Sequence, residues 1–180
     1  MAAKLTPPVN ERDHIQGSSH APLELVEYGD YQCPHCGAAH PVVKAIVKRF
    51  GKNLRFVFRN FPLAEVHQYA EAAAMAAEAA ARQGMFWPMH DMIYEQQSRL
   101  NVGALLTFAE ELDLDMVAFE HDLTNPSVAQ KVEADFESGV RSGVNGTPSF
   151  FINGLKYNGG YDYDSLAGTL ESLISERQHR

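Results

Sequence analysis

The first third of the chain carries three segments with distinct hydrophobic patterns. Residues 23–28 form a short apolar-rich run after a polar, proline-containing lead, and such a run is typical of a strand. Over residues 34–50 the apolar positions recur at helical spacing, and Gly51 follows as a C-terminal stop. Residues 54–61 alternate with period two, which again indicates a strand. The pattern therefore predicts the order strand, helix, strand.

The middle of the chain, residues 63–143, contains almost no strand signal and several helix-like segments. Helical periodicity covers four stretches, which are residues 69–83, 86–97, 105–112 and 128–140. Glycine, asparagine, aspartate and proline residues punctuate the block, as is typical of loops between helices. We interpret the block as a helical insertion.

Strand signals return near the end of the chain. Residues 149–152 and 155–157 flank Asn153-Gly154, and this dipeptide is a strong signal for a two-residue hairpin. A final helix carries four apolar residues on one face, Leu166, Leu170, Leu173 and Ile174. A strand-helix-strand start followed by a hairpin predicts an α/β fold, in which a parallel βαβ unit is completed by antiparallel strands.

Composition and charge argue against some classes of protein. At 180 residues the chain is long enough for one substantial core with an insertion. It has 15 basic and 23 acidic residues, a formal net charge of -8, and its basic residues are scattered, which argues against a nucleic-acid partner. No stretch approaches the roughly 20 uninterrupted apolar residues of a membrane span, since Glu71 and Glu78 interrupt the alanine-rich run 70–81.

The N-terminal residues and the two cysteines bear on the compartment. The first 22 residues contain four charged residues, three prolines and no apolar core, so they do not form a secretory signal. The chain as written is expected to be cytoplasmic; the alternative is a periplasmic or exported protein whose signal has been removed. Both cysteines lie in one motif, which leaves none for a structural disulfide framework and indicates redox or metal chemistry.

The motif Cys33-Pro34-His35-Cys36 follows directly on the first predicted strand. Pro34 suits the first position of a helix and leaves Cys33 as its cap, where the backbone amides and the helix dipole stabilise a thiolate. Cys33 is therefore expected to have a lowered pKa and to act as the nucleophile. Cys36 lies one turn later, within reach of a disulfide, as the more buried resolving thiol. His35 adds stabilisation to the thiolate, which makes the disulfide a stronger oxidant.

The same CxxC motif is also half of a zinc site, with His40 as a third ligand on the same helix face. A structural zinc site usually has four ligands, and the sequence contains no second CxxC and no HxxxH. Redox chemistry is the favoured hypothesis, with no metal and no cofactor other than a redox-active Cys33-Cys36 disulfide. A metal-binding module remains the alternative.

Glu27 is a candidate acid in the first predicted strand. It lies on the same alternating face as Leu23 and Leu25, so the side chain is a candidate for burial. Burial would raise the pKa of Glu27 and let it relay a proton to or from Cys36. The competing interpretation is an exposed glutamate at the end of a strand.

Thr147 and Pro148 precede the predicted hairpin. A proline at this point suits either the first residue of a strand or a cis peptide bond. In the functional interpretation, a cis Pro148 packs against the disulfide and Thr147 offers a backbone edge to an extended substrate. Otherwise the pair is an ordinary junction between a loop and a strand.

These motifs together point to a known family. With CPHC after a strand, FPL after the second strand, a helical insertion and GTPSFFING near the end, the chain resembles the DsbA-like thiol-disulfide oxidoreductases. The resemblance covers about residues 21–176 and implies a thioredoxin fold, a central mixed β-sheet flanked by helices, with an inserted α-helical domain. It also implies Cys33 as nucleophile, Cys36 as resolving thiol and Pro148 in cis, and it supports Glu27 as the buried acid.

The resemblance suggests a domain division and a set of partners. We expect a polar N-terminal lead (residues 1–21), a thioredoxin-like domain (22–62 and 144–180) and an inserted helical domain (63–143). The expected partners are protein thiols or disulfides in extended peptides and a redox partner of unknown identity. Family members are typically exported, and this chain shows no signal, so the sequence leaves oxidase, reductase and isomerase directions open. A glutathione-dependent thioredoxin-fold enzyme is a further alternative.

Overall fold

The computed structural model describes residues 1–179 and contains a five-stranded mixed sheet. The strands are β1 (His14–Gln16), β2 (Leu23–Gly29), β3 (Leu54–Asn60), β4 (Ser149–Ile152) and β5 (Leu155–Tyr157). Their order in the sheet is β1-β3-β2-β4-β5, and the pairs β1–β3, β2–β4 and β4–β5 are antiparallel. Strands β2 and β3 are neighbours joined by helix α1 (Pro34–Phe50), which is the predicted strand-helix-strand unit.

Strands β2 and β3 are buried along almost their whole length. Leu25, Val26 and Phe58, for example, are completely buried. Strands covered on both faces are rich in β-branched and aromatic residues, and they tolerate a charged residue only where it is paired. Arg59 in β3 is a charged residue inside such a buried strand, and only 2 % of it is exposed.

The turn between β4 and β5 adopts the conformation that its sequence favours. Asn153 has a φ of 50° and Gly154 a φ of 83°, so both residues are left-handed, as a type I′ turn requires. The Asn153 side-chain oxygen also accepts a hydrogen bond from the Glu24 amide at 2.9 Å. The predicted two-residue hairpin is confirmed.

Six further α-helices lie within the described residues. They are α2 (Ala70–Ala81), α3 (Phe86–Glu95), α4 (Val102–Glu111), α5 (Met116–Asp122), α6 (Pro126–Arg141) and α7 (Tyr163–Gln178). The helix predicted over residues 86–97 ends earlier, at Glu95, and is followed by a 3₁₀ turn at Gln97–Arg99. Helix α5 is not among the predicted segments, because its seven residues span too few turns to show a clear period.

The described chain folds as two units, and the CPHC motif belongs to the more helical one. Among the described residues, the first unit contains 1–28, 38–59 and 138–179; the second contains Gly29–Gly37 and Asn60–Glu137. The sequence-based division places residues 29–37 in the segment 22–62, whereas here they group with the helices. That division into domains stays a prediction.

The N-terminal lead is tied to the rest of the first unit. Strand β1 pairs with β3, and Leu5 is buried, with its amide donating to the Gly154 carbonyl at 2.8 Å. Asp13 accepts two hydrogen bonds from Arg59, at 2.8 and 2.9 Å, and the hydroxyl of Tyr28 accepts a third at 2.9 Å. Burial lowers the pKa of Arg59, but these hydrogen bonds outweigh it and hold the pKa above its ordinary value.

The second unit is a set of packed helices, in which α2 contacts α3, α4 and α5. Its alanines at positions 73, 76, 77 and 80 are fully buried, and such small residues let neighbouring helices approach closely. Within residues 1–179, no helix combines the length and the apolar character that crossing a membrane requires.

Candidate active site

The CPHC motif is delivered by a tight turn between β2 and α1. The Cys33 amide donates to the Asp30 carbonyl at 3.1 Å and closes the turn. One carboxylate oxygen of Asp30 accepts from the amides of Gln32, at 2.8 Å, and of Cys33, at 3.2 Å. Aspartate is favoured at the first position of such a turn because its side chain caps the following amides. The sequence therefore sets the direction in which the chain enters the helix.

The two cysteines lie at the start of helix α1. Pro34 is the first helical residue, and the Cys33 carbonyl accepts the first helical hydrogen bond from Gly37 at 3.0 Å, so Cys33 occupies the cap position. Cys33 is 4 % exposed and Cys36 is completely buried, while His35 is exposed. Both cysteines are thiols, and the Asp30 amide donates to the Cys36 sulfur at 3.5 Å.

The Gln97 side chain binds two carbonyls of the active-site turn. Its side-chain amide donates to the carbonyls of Tyr31 and Cys33, both at 2.8 Å. Gly37 packs against it, since a Cβ at that position would lie 2.8 Å from the Gln97 Cδ atom. No local pattern marks Gln97 as part of the site, because it follows helix α3, more than 60 residues after the motif.

Asp30 and His67 form a carboxylate-imidazole pair beside the motif. The second carboxylate oxygen of Asp30 accepts from the Leu63 amide at 2.9 Å and from His67 Nδ1 at 2.7 Å. The Asp30 side chain is fully buried, and that of His67 is 21 % exposed. Neither residue is among the site residues that the sequence predicts. Asp30 is recognisable from the sequence as a turn-favouring residue three positions before Cys33. His67 has no local pattern that links it to the motif.

An aromatic cluster on helix α3 contacts the active-site turn through Tyr31. The Tyr31 hydroxyl and His90 Nδ1 are hydrogen-bonded at 2.8 Å, and His90 is buried. The rings of Phe86, Trp87 and Tyr94 surround His90, with centroids 5.2 to 5.6 Å from its own. Tyr31 belongs to the turn itself, so this cluster anchors the residue two positions before Cys33.

The remaining candidate residues belong to the first unit. Glu27 in β2 is 2 % exposed and faces Phe150 of β4 across the sheet, so the buried interpretation of this glutamate is the correct one. The peptide bond between Thr147 and Pro148 is cis, and it lies directly before β4. His40, the third ligand in the metal hypothesis, is buried in α1 at 5 % exposure.

Comparison with known proteins places this architecture in a family. The family model described as Thioredoxin matches residues 9–172. A thioredoxin-like oxidoreductase from Silicibacter pomeroyi DSS-3 superposes with a TM-score of 0.80 at 25 % identity and covers 95 % of both chains. Alpha-DsbA1 from Wolbachia pipientis has a TM-score of 0.83 at 22 % identity, over 96 % of this chain and 95 % of that one, which shows a shared fold.

A longer curated relative is also similar. The Na(+)/H(+) antiporter NhaA 1 from Salinispora arenicola is 42 % identical over 165 residues, which are 92 % of this chain and 25 % of the relative. The chain thus spans about a quarter of the length of the curated relatives that it matches. The family model covers most of the chain, and the structural neighbours share its fold. The chain therefore belongs to the thioredoxin family, with the fold of the DsbA-like proteins that its motifs resemble.

Proposed function

We propose that this chain is a thiol-disulfide oxidoreductase that exchanges disulfides with protein substrates through Cys33 and Cys36. The observation that carries the proposal is the position of the two cysteines. Cys33 caps helix α1, and Cys36 lies one turn into the same helix with its sulfur accepting an amide hydrogen bond. The name of the Silicibacter pomeroyi neighbour, a thioredoxin-like oxidoreductase, agrees with this chemistry.

The helix start supplies the electrostatics that the nucleophile needs. The amides of the first turn and the positive end of the helix dipole favour a thiolate over a thiol at the cap. In this proposal Cys33 has a lowered pKa and attacks, and the exposed His35 adds to the stabilisation of its thiolate. Cys36 is the resolving thiol, because its sulfur is completely buried and an incoming substrate meets Cys33 first.

The exchange proceeds in two balanced steps. In the oxidising direction a substrate thiolate attacks Cys33, the Cys33-Cys36 bond breaks, and Cys36 leaves as a thiolate that takes up a proton. The second substrate thiolate then attacks the substrate sulfur that is bonded to Cys33, which forms the substrate disulfide and releases Cys33 as a thiolate. The substrate loses two electrons and the protein gains them. The reverse sequence reduces a substrate disulfide, and a separate redox partner restores the starting form.

Three residues of the first unit have supporting roles in the proposal. Glu27 relays a proton to or from Cys36, which its burial in β2 favours. Thr147 offers a backbone edge to an extended substrate, in the manner of strand addition. Pro148 lies next to that edge and is joined to Thr147 by a cis peptide bond, as the family resemblance implies.

The net direction and the compartment follow from one quantity, the reduction potential of the Cys33-Cys36 pair. Equilibration in glutathione buffers of graded poise, with free thiols counted by mass shift, gives this potential. A value above the cytosolic glutathione poise of roughly -220 to -320 mV means an oxidant or isomerase of an oxidising compartment. A value within or below that range means a reductase and agrees with the cytoplasmic location proposed from the sequence.

The proposal predicts different behaviour for the two cysteine variants. Cys33→Ser removes the nucleophile, so turnover of a disulfide-bonded model protein is lost. Cys36→Ser removes the thiol that resolves the mixed disulfide, so protein-substrate adducts accumulate and are visible by non-reducing electrophoresis. Circular dichroism checks that both variants are folded. Retained turnover in folded Cys33→Ser, or adducts formed by that variant as readily as by Cys36→Ser, would disprove the assignment.

A further inference from the structure

Asp30 has four polar contacts through its carboxylate, although the exchange chemistry proposed above does not use it. One oxygen accepts from the amides of Gln32 and Cys33 at 2.8 and 3.2 Å. The other accepts from the Leu63 amide at 2.9 Å and from His67 Nδ1 at 2.7 Å. The residue is 1 % exposed. A buried carboxylate with this many donors is strongly held in one orientation.

The main chain of Asp30 contacts both cysteines. Its carbonyl accepts from the Cys33 amide at 3.1 Å, and its own amide donates to the Cys36 sulfur at 3.5 Å. Because the carboxylate caps the turn, it fixes the direction of these backbone groups. One residue therefore determines where the Cys33 backbone lies and which donor faces the Cys36 sulfur.

The same carboxylate also acts through its charge. A buried negative charge next to a cysteine disfavours the thiolate by like-charge repulsion, which water screens little at such a depth. The imidazole of His67 lies 2.7 Å from this carboxylate through Nδ1, and an N–H donor at this position partly offsets the negative charge. Asp30 alone thus destabilises the reduced, thiolate-bearing form of the pair relative to the disulfide. His67 reduces this destabilisation.

We propose that Asp30 and His67 are positioning residues that together set the thiol-disulfide equilibrium of Cys33 and Cys36. Asp30 orients the turn and the donor to Cys36, and His67 balances the charge of Asp30. This inference rests on the proposed function, because it concerns the same pair of sulfurs. It assigns a role to two residues that take no part in bond making or breaking.

The test measures the equilibrium between the Cys33-Cys36 pair and glutathione at pH 6.5 for the wild type, Asp30→Asn and His67→Ala. Asparagine keeps an acceptor for the turn amides and removes the negative charge, so the dithiol form is favoured by about tenfold, or ~30 mV for a two-electron couple. His67→Ala leaves the carboxylate without its partner, so the equilibrium shifts toward the disulfide by about threefold. The control is His121→Ala, which removes an exposed imidazole from helix α5 and leaves the equilibrium unchanged.

Asp30→Asn and His67→Ala are expected to shift the glutathione equilibrium in opposite directions, which a purely structural role does not predict. If the contacts only held the fold together, both variants would lose stability in urea without shifting the glutathione equilibrium in opposite directions. Variants within twofold of the wild type, or shifted in the same direction, would overturn the inference and leave the proposed function standing. A folded wild type that forms no Cys33-Cys36 disulfide in any glutathione buffer would overturn both.

Discussion

At the scale of single residues, Gln97 and Gly37 act as a pair at the start of helix α1. The Gln97 amide group donates to two carbonyls of the active-site turn, and Gly37 leaves room for it. Each partly buried hydrogen bond of this kind contributes about 1 kcal/mol to stability. The glycine has a cost, because glycine within a helix is about 0.5–1 kcal/mol less favourable than alanine. Glycine is nevertheless required at position 37, because a Cβ there would displace the Gln97 side chain.

This pairing predicts a non-additive double mutant. Gly37→Ala is destabilising in the wild-type background, because the new Cβ collides with the Gln97 side chain. Gln97→Ala lowers the free energy of unfolding by about 1–2 kcal/mol, because two carbonyls lose their donor. In the Gln97→Ala background, Gly37→Ala becomes stabilising, by up to about 1 kcal/mol. Urea denaturation of the four proteins measures the cycle, and strictly additive effects would mean that the two side chains do not interact.

At the scale of elements, the turn of the β4–β5 hairpin requires a left-handed backbone at both of its residues. Gly154 has a φ of 83°, and a Cβ added there would meet no atom within 4 Å. The same is true of the space around Gly168 in helix α7, but the conformation there is helical. Neither position gives an added Cβ a steric contact, and the two differ in backbone conformation, so together they test conformational strain.

One added methyl group is therefore predicted to have opposite effects at the two glycines. Gly154→Ala lowers the free energy of unfolding by about 1–2 kcal/mol, because the left-handed conformation is costly for a residue with a Cβ. Gly168→Ala raises it by roughly 0.5–1 kcal/mol, because alanine is the better helix former. Thermal and urea unfolding check both values. A neutral or stabilising Gly154→Ala would contradict the type I′ assignment of the turn.

At the scale of the whole molecule, each unit buries a charged network. In the second unit, Asn60 donates to Asp135 through its amide, at 3.0 Å, and its side chain, at 2.9 Å. The Asn60 side chain also donates to Glu78 at 2.8 Å, and Lys131 donates to Asp135 at 2.7 Å. Burial raises the pKa of Asp135, Lys131 lowers it in part, and the nearby charge of Glu78 raises it further.

The raised pKa of Asp135 predicts how stability varies with pH. The Asp135 carboxyl has a pKa of 3.8 in the unfolded chain and a higher pKa in the folded protein. Just above pH 3.8, the unfolded chain therefore releases the carboxyl proton while the folded protein retains it. The folded state then binds more protons, so the contribution of Asp135 to stability falls as pH rises through this window. The free energy of unfolding of the wild type, relative to Asp135→Asn, is expected to decrease as the pH rises above about 4.

Lys131→Met provides the matched comparison for this pH dependence. Removing the lysine removes the charge that lowers the pKa of Asp135, so the fall in stability extends to higher pH and becomes larger in total. Urea denaturation at several pH values measures all three proteins. A stability difference between wild type and Asp135→Asn that rises with pH would show that the sign is wrong.

Much of the fold follows from local patterns. Helix α1 and strands β4 and β5 have the bounds that periodicity and turn residues predict, and the CPHC motif lies where proline and the cap position place it. Local signals were too weak for β1 and α5, which have three and seven residues. Strand β1 forms because it pairs with β3, and a three-residue strand is decided by its partner rather than by its own sequence.

The sequence by itself determined the chemistry of the site: two thiols one helical turn apart, with a cap position for the first. Only the tertiary structure decided what surrounds them. Gln97 reaches the Cys33 carbonyl from 64 positions away, and His67 reaches Asp30 from 37. Periodicity and turn preferences act over a few residues, whereas these contacts exist only once helices from distant parts of the second unit have packed. Their positions depend on packing, and packing is a property of the folded chain.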